Sequence, residues 1–233
     1  MLTKHLFLVD DHPITVDGYK NLISRTKTAT TDIDFVTAYS CEEAYNRISE
    51  KHNDQENFDV ALLDISLPSY PARNLQTGID VAKLIRHYFP ACKIILLTMQ
   101  SEPAIVTTAI HEVNPEGFIL KNDIDATSFV TAYQSITLGA SFYSNTISKV
   151  QNNAIIKKLN FDAIDLQILL LLDKKIKTKD MPNYIDLCLS AIEKRKTNIK
   201  NQLLKDKGNN AAIVTAAKKY DFFKFIKNLA FLT

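Results

Sequence analysis

Five residues carry groups that could do chemistry together, although long stretches of chain separate them. Adjacent carboxylates, Asp10 and Asp11, follow the apolar run HLFLV; Asp64 follows VALL, Thr98 follows KIILL, and Lys121 follows GFIL. Neighbouring like charges repel, and burying either is costly without a counter-charge. The plainer reading of Asp10-Asp11 is a strand end whose acids cap the next helix. Three carboxylates gathered in one place need a cation, and oxygen-only ligands favour Mg²⁺. A hydroxyl and an ammonium opposite them would suit the equatorial oxygens of a transferred phosphoryl group. A carboxylate in that setting can be the nucleophile and become an aspartyl phosphate.

These groups meet only if the chain brings five run ends to one rim. The runs HLFLV (5–9), IDFVTAY (33–39), DVALLDI (59–65), KIILLTM (93–99) and GFILK (117–121) are short and rich in Val, Ile, Leu and Phe. Strands buried on both faces look like this. Between them, IDVAKLIRHYF (79–89) and ATSFVTAYQSITLG (126–139) have helical spacing, the second ending at Gly139 as a C′ cap. Five βα repeats predict an α/β fold with a doubly wound five-stranded parallel sheet. Ligands of such sheets sit at the carboxyl ends of the strands.

Composition bounds the rest. The chain has 233 residues, 46% of them hydrophobic and 23% charged, as in a soluble globular protein of one large or two ordinary domains. Cys41, Cys92 and Cys188 are scattered without a CxxC pair, which argues against a disulfide framework or zinc site and fits a reducing compartment. The opening MLTKHLFLVDD reaches charge too early for a signal peptide, and no apolar run is long enough for a membrane span, so a cytoplasmic protein with no membrane partner is expected. Charge segregates: residues 1–150 carry 12 Lys+Arg against 18 Asp+Glu, and residues 151–233 carry 16 against 8. That asymmetry suggests two domains, the second facing something anionic.

The strand-end residues and their surroundings resemble the receiver domain of two-component response regulators of the NarL/LuxR type, over residues 4–144. Asp10 and Asp11 match the acidic pair that holds Mg²⁺, Asp64 the phosphoacceptor, and Pro68 the proline four residues beyond it. Thr98, in an LTM context, matches the switch hydroxyl, and Phe118, three before Lys121, the switch aromatic. AIHEVNPEGFILKND (109–123) and GASFYS (139–144) are also similar to that subfamily. The resemblance implies a flavodoxin-like receiver in which Asp10, Asp11, Asp64 and the Ser66 backbone carbonyl ligate Mg²⁺, and Thr98, Lys121 and Phe118 form the switch. It also implies a cognate histidine kinase, a homodimer on phosphorylation, and a regulator rather than an enzyme. The loop SLPSYPARNLQTG (66–78) is longer than the family usually has; a tolerated surface insertion is the plainer reading, altered phosphodonor access the sharper one. A haloacid-dehalogenase-like phosphatase is a remote rival. It would need its nucleophile on the first strand and a second acid two residues on.

The basic end reads as a linker at 145–158 followed by a small all-α domain at 159–233. Asp162 can cap a helix through IDLQILLLL (164–172), nearly all apolar and hence core. KTKDMPNYIDL (177–187) and CLSAIEKRKTNIKNQLLK (188–205) then suggest a short helix, a tight turn and a basic helix able to enter a major groove. This resembles the helix-turn-helix domain of the same subfamily, without a gap over residues 161–199. Departures are Lys175 for the glycine that ends the first helix, Pro182 for alanine, Cys188 for Ser, Ala191 for Thr, and Glu193 where Lys is frequent. Ser190, Glu193, Lys194 and Thr197 would face double-stranded DNA, with Lys177, Lys179 and Lys200 on phosphates. The alternatives are a merely solvated basic face, or a degenerate domain that grips a protein partner instead. The apolar residues of KKYDFFKFIKNLAFLT either close the small core, the safer expectation, or form a dimer contact.

Overall fold

Each of the five apolar runs forms a strand in the computed structural model, which describes residues 2–26, 31–204, 208–219 and 223. They are β1 (Leu2–Val9), β2 (Thr31–Ala38), β3 (Val60–Asp64), β4 (Lys93–Thr98) and β5 (Gly117–Leu120). A sixth, β6 (Phe142–Tyr143), extends the sheet by two residues beyond the five expected. All pair in parallel, in the order β2-β1-β3-β4-β5-β6. The winding reverses between β1 and β3, which opens a crevice at their carboxyl ends.

Five helices cover the faces: α1 (Pro13–Ser24), α2 (Cys41–Asn53), α3 (Gly78–Tyr88), α4 (Pro103–Val113) and α5 (Ala126–Thr137). Their starts are locally encoded. Proline opens α1 and α4, where no N–H is needed. Ser40 caps α2, Thr77 and Asp80 form a capping box on α3, and Asp125 accepts from the Ser128 amide at α5. Gly139 does end α5, at φ +99°, with the Ala140 and Gly139 amides bonded back to Ser135 and Ile136. Val16 and Ile23 of α1 and Phe129, Tyr133 and Ile136 of α5 pack on Leu6, Leu8, Leu62, Ile95, Leu97 and Ile119 of one sheet face. The alternate strand residues, Phe7, Leu63, Leu96 and Phe118 among them, are buried on the other.

The chain divides into two compact units, Met1–Ile147 and Ser148–Thr233. The division falls inside α6 (Asn145–Leu159), so the stretch expected as a linker is helical. The second unit continues with α7 (Ala163–Asp173), α8 (Leu189–Leu204) and α9 (Asn210–Lys219) around Leu166, Ile168–Leu172, Met181, Ile185, Ile192 and Ile199. Asp162 caps α7 through a box with Asp165. Phe223 is buried in this core, in line with core closure; Phe222, Phe225, Ile226, Leu229, Phe231 and Leu232 lie outside the described residues.

Two departures from the helix-turn-helix pattern have structural answers. The segment expected as a short helix is a 3₁₀ turn, Thr178–Asn183, with Pro182 inside it; a proline in an α-helix interior would forfeit a hydrogen bond and clash with the preceding turn. Lys175 keeps the left-handed conformation of the glycine it replaces, at φ +59°. The Schellman bonds that demand this are both made, Ile176 N–H to the Leu171 carbonyl and Lys175 N–H to the Leu172 carbonyl.

Candidate functional site

Asp10 follows β1 directly, Asp64 ends β3 and Lys121 is the first residue after β5. The lysine reaches past the end of β4 into the crevice between β1 and β3. Its Nζ donates to Asp10 Oδ2 at 2.7 Å and to Asp64 Oδ2 at 2.6 Å. Both carboxylates are buried, at 2% and 4% exposure. Burial pushes the Asp64 carboxyl above its ordinary value; bonds from Lys121 and the Ser66 amide pull it down without cancelling the rise, and Asp10 adds to it. Burial alone would lower Lys121, but the two carboxylates outweigh it and hold the ammonium above its ordinary value. Burial also pushes the nearby Tyr19 phenol up to about 12.

The free oxygens of the acids are held by local backbone. Asp10 Oδ1 accepts the His12 amide at 3.0 Å, and Asp64 Oδ1 accepts the Ser66 amide at 3.1 Å, which lays the Ser66 peptide against the site. Asp11 is partly exposed, and His12 Nδ1 lies 2.7 Å from its Oδ1. Asp10, Asp11 and His12 present ligand atoms within 4.8 Å of one another. One lysine ammonium therefore serves two buried carboxylates, with the Asp11 carboxylate standing beside Asp10. That excess negative charge and oxygen-rich donor set fit a hard divalent cation such as Mg²⁺.

Thr98 and Phe118 stand at the expected strand positions but are engaged elsewhere. Buried Thr98 accepts from the Gln100 amide at 2.9 Å and donates to the Gln100 carbonyl at 3.2 Å, so its hydroxyl is turned onto its own loop. Phe118 is wholly buried, edge-on to Tyr143 of β6, with ring centroids 6.3 Å apart.

Three contributors were not read from the sequence. His12 beside Asp11 is one. Gly78 is another: its amide bonds the Ile65 carbonyl at 2.9 Å, and a Cβ there would lie 1.8 Å from the Asp64 carbonyl oxygen. A glycine at the first position of a capped helix was the available signal. The third is Asp123, whose partners lie more than 20 residues away in sequence. The long loop is ordered by its own contacts. Tyr70 and Leu75 form an antiparallel bridge, and the Arg73 guanidinium lies over the Tyr45 ring at 4.9 Å.

In the second unit, Lys177, Lys179, Ser190, Glu193, Lys194 and Thr197 are all exposed and Lys200 is half-buried. Ser190, Glu193, Lys194 and Thr197 recur at helical spacing on one side of α8. Cys188 takes the N-cap position, its carbonyl accepting the Ala191 and Ile192 amides. Lys196 is spent on the Thr178 hydroxyl at 2.9 Å. Arg195 bonds Asp162 at 2.8 Å and Asp165 at 3.0 Å, tying α8 to the start of α7.

A parallel sheet with this strand order, carrying an acid–lysine–acid cluster at its switch point, defines a receiver-type signalling domain. The chain belongs to the response regulator receiver domain family, which matches residues 6–134. Receiver domains in general bind Mg²⁺ at their phosphorylation site, and the family is in general one of regulators rather than enzymes. The chain is similar to the oxygen regulatory protein NreC of Staphylococcus haemolyticus (strain JCSC1435), 24% identical over 231 residues that cover 93% of this chain and 99% of NreC. Among solved structures, it resembles a LuxR-family two-component response regulator from Aurantimonas sp. SI85-9A1, with a TM-score of 0.52 and 25% identity, covering 66% of this chain and 99% of that one. It shares its fold with RcsB from Salmonella enterica serovar Typhimurium bound to promoter P1flhDC in the presence of the phosphomimetic BeF3−, with a TM-score of 0.53 and 20% identity, covering 91% and 97%. Among the described residues, no helix is long and apolar enough to cross a membrane.

Proposed function

We propose that this protein is a phosphorylation-controlled transcriptional regulator that accepts a phosphoryl group on Asp64 and binds double-stranded DNA through its second unit. The observation that carries the reading is the Lys121 ammonium bonded to both Asp10 and Asp64. A carboxylate oxygen of Asp64 attacks the phosphorus of a phosphohistidine on a cognate kinase, or of a small phosphodonor. The new P–O bond forms as the bond to the departing group breaks, and a departing imidazole takes its proton from solvent. Asp10, Asp11, Asp64 and the Ser66 carbonyl would hold Mg²⁺, which would supply positive charge against the phosphoryl oxygens. Lys121 turns its ammonium to the same oxygens, and Thr98 leaves Gln100 to donate to them. The space Thr98 vacates, together with Phe118, biases the β4–β5 region between two arrangements. The readout is dimerisation and engagement of DNA.

On that DNA, Ser190, Glu193, Lys194 and Thr197 face the groove, and Lys177, Lys179 and Lys200 meet phosphates. Glu193 accepts from a cytosine amine. Selection from random duplex DNA by the full-length chain, with and without beryllofluoride and Mg²⁺, tests this. An enriched, roughly palindromic site, stronger with the mimic and weakening steeply with salt, is expected. No enrichment by folded, beryllofluoride-loaded protein refutes it. One observation favours a second reading, a helical unit that grips a protein: the 3₁₀ turn around Pro182 stands where a helix-turn-helix needs the short helix before its turn.

A further inference from the structure

Lys121 opens a single 3₁₀ turn, Lys121–Asp123, which places the site lysine and the Asp123 carboxylate on one short element. Asp123 is not part of the acidic cluster. Its Oδ2 accepts from the Ser144 hydroxyl at 2.8 Å and the Thr146 amide at 2.7 Å, and its Oδ1 accepts from the Thr146 hydroxyl at 2.8 Å. Ser144 is buried, and its hydroxyl also accepts the Leu120 amide at 3.0 Å. Both flanks of Lys121 are thus bonded to residues 144–146.

Those residues are the root of α6. A helix start leaves four amides without intrahelical partners, and the residue just before the helix usually supplies the acceptor. Here Ser144 donates its hydroxyl to Asp123, and the Thr146 amide is satisfied by a carboxylate from the loop after β5. The same segment is held to β5 along its length: Gly117 pairs with Phe142 and Phe118 with Tyr143, and the Ser144 amide bonds the Phe118 carbonyl at 2.9 Å. Beyond the root, Ile155, Ile156 and Leu159 of α6 pack on the core of the second unit.

We propose that Asp123 is the positioning residue through which the state of Lys121 is passed to the start of α6, and through which α6 in turn sets Lys121. The inference rests on the reading of Asp64 as phosphoacceptor. When the ammonium leaves Asp10 and Asp64 for a phosphoryl oxygen, the 3₁₀ turn carries Asp123 with it, and the cap on Thr146 shifts. Linkage makes the effect reciprocal, so releasing Asp123 from Thr146 changes the affinity of the site for a phosphoryl mimic by the same factor.

Amide hydrogen exchange on the full-length chain, with and without beryllofluoride and Mg²⁺, reads both ends at once. The wild-type chain should change its exchange at Leu120 and at Thr146 on saturation. Asp123→Ala should still saturate and respond at Leu120, lose the response at Thr146, and shift beryllofluoride affinity by about fivefold. Thr146→Ser, which keeps the hydroxyl, should behave as wild type. Thr146→Val, which loses one of the three bonds, should show a partial loss and serves if Asp123→Ala does not fold. A Thr146 amide that responds equally in wild type, Asp123→Ala and Thr146→Val overturns the inference. So does a saturated wild-type chain with no response at Thr146. A wild-type chain that never binds beryllofluoride removes the phosphoacceptor reading itself, and this inference with it.

Discussion

Replacing Asp64 by Asn should stabilise the first unit while abolishing its chemistry. The two carboxylates sit within 2.7 Å of the same Lys121 Nζ, so the oxygens it bonds are no more than about 5 Å apart. At an effective dielectric of about 20, Lys121 attracts Asp64 by about 6 kcal/mol and Asp10 repels it by about 3 kcal/mol or more. Withdrawing a carboxylate from water costs several kcal/mol more. The balance runs against the charge, in agreement with the upward displacement of the Asp64 carboxyl by burial. Asparagine removes the charge but has a single acceptor oxygen for two donors, Lys121 and the Ser66 amide, so the net gain is about 1 kcal/mol, or about 3 °C in a unit of this size. Thermal unfolding followed by circular dichroism in EDTA at pH 7 measures it. A carboxyl whose folded-state pKa is raised penalises the fold only when ionised. The wild-type deficit should therefore be full above the folded pKa of Asp64 and vanish below the ordinary carboxyl value of about 3.9. Saturating Mg²⁺ should narrow the gap by stabilising the wild-type chain more than the variant. An unchanged or lower transition in metal-free Asp64→Asn at neutral pH would refute the reasoning.

Lys175→Gly should stabilise the second unit by about 0.5–1 kcal/mol, since the left-handed strain relieved exceeds the extra unfolded-state entropy of glycine; a lowered unfolding transition contradicts this. Gly78→Ala should do the reverse in the first unit. Its methyl group would strike the Asp64 carbonyl oxygen, costing about 2–3 kcal/mol and weakening beryllofluoride binding, and wild-type values for both would show that the close approach is unimportant.

The strands and the acid–lysine cluster were legible in the sequence for one shared reason. Each strand of a parallel sheet covered on both faces is an unbroken apolar run, and its carboxyl end is where the first polar residue stands. Reading Asp10, Asp64, Thr98 and Lys121 off those ends needed no knowledge of packing. Lys175 and Pro182 were legible as anomalies but not as outcomes. Whether the chain would abandon the left-handed cap or strain a lysine into it depended on two Schellman bonds and on Ile176 packing against the second unit's core.

What stayed hidden is held by partners distant in sequence. β6 is two residues long, too short for any periodicity, and exists because β5 offers it a ladder. Residues 145–158 look loose because they are polar and weakly patterned, yet their first turn is capped by Asp123. A carboxylate more than 20 residues upstream leaves no trace in the local pattern of the helix it starts. The orientation of Thr98 toward Gln100 is hidden for another reason: it is one rotamer of a residue whose proposed role requires two. A sequence can specify that such a hydroxyl stands at the end of β4, but its direction depends on the charge beside it. In this state the Thr98 hydroxyl bonds the amide and carbonyl of Gln100, two residues on in its own loop.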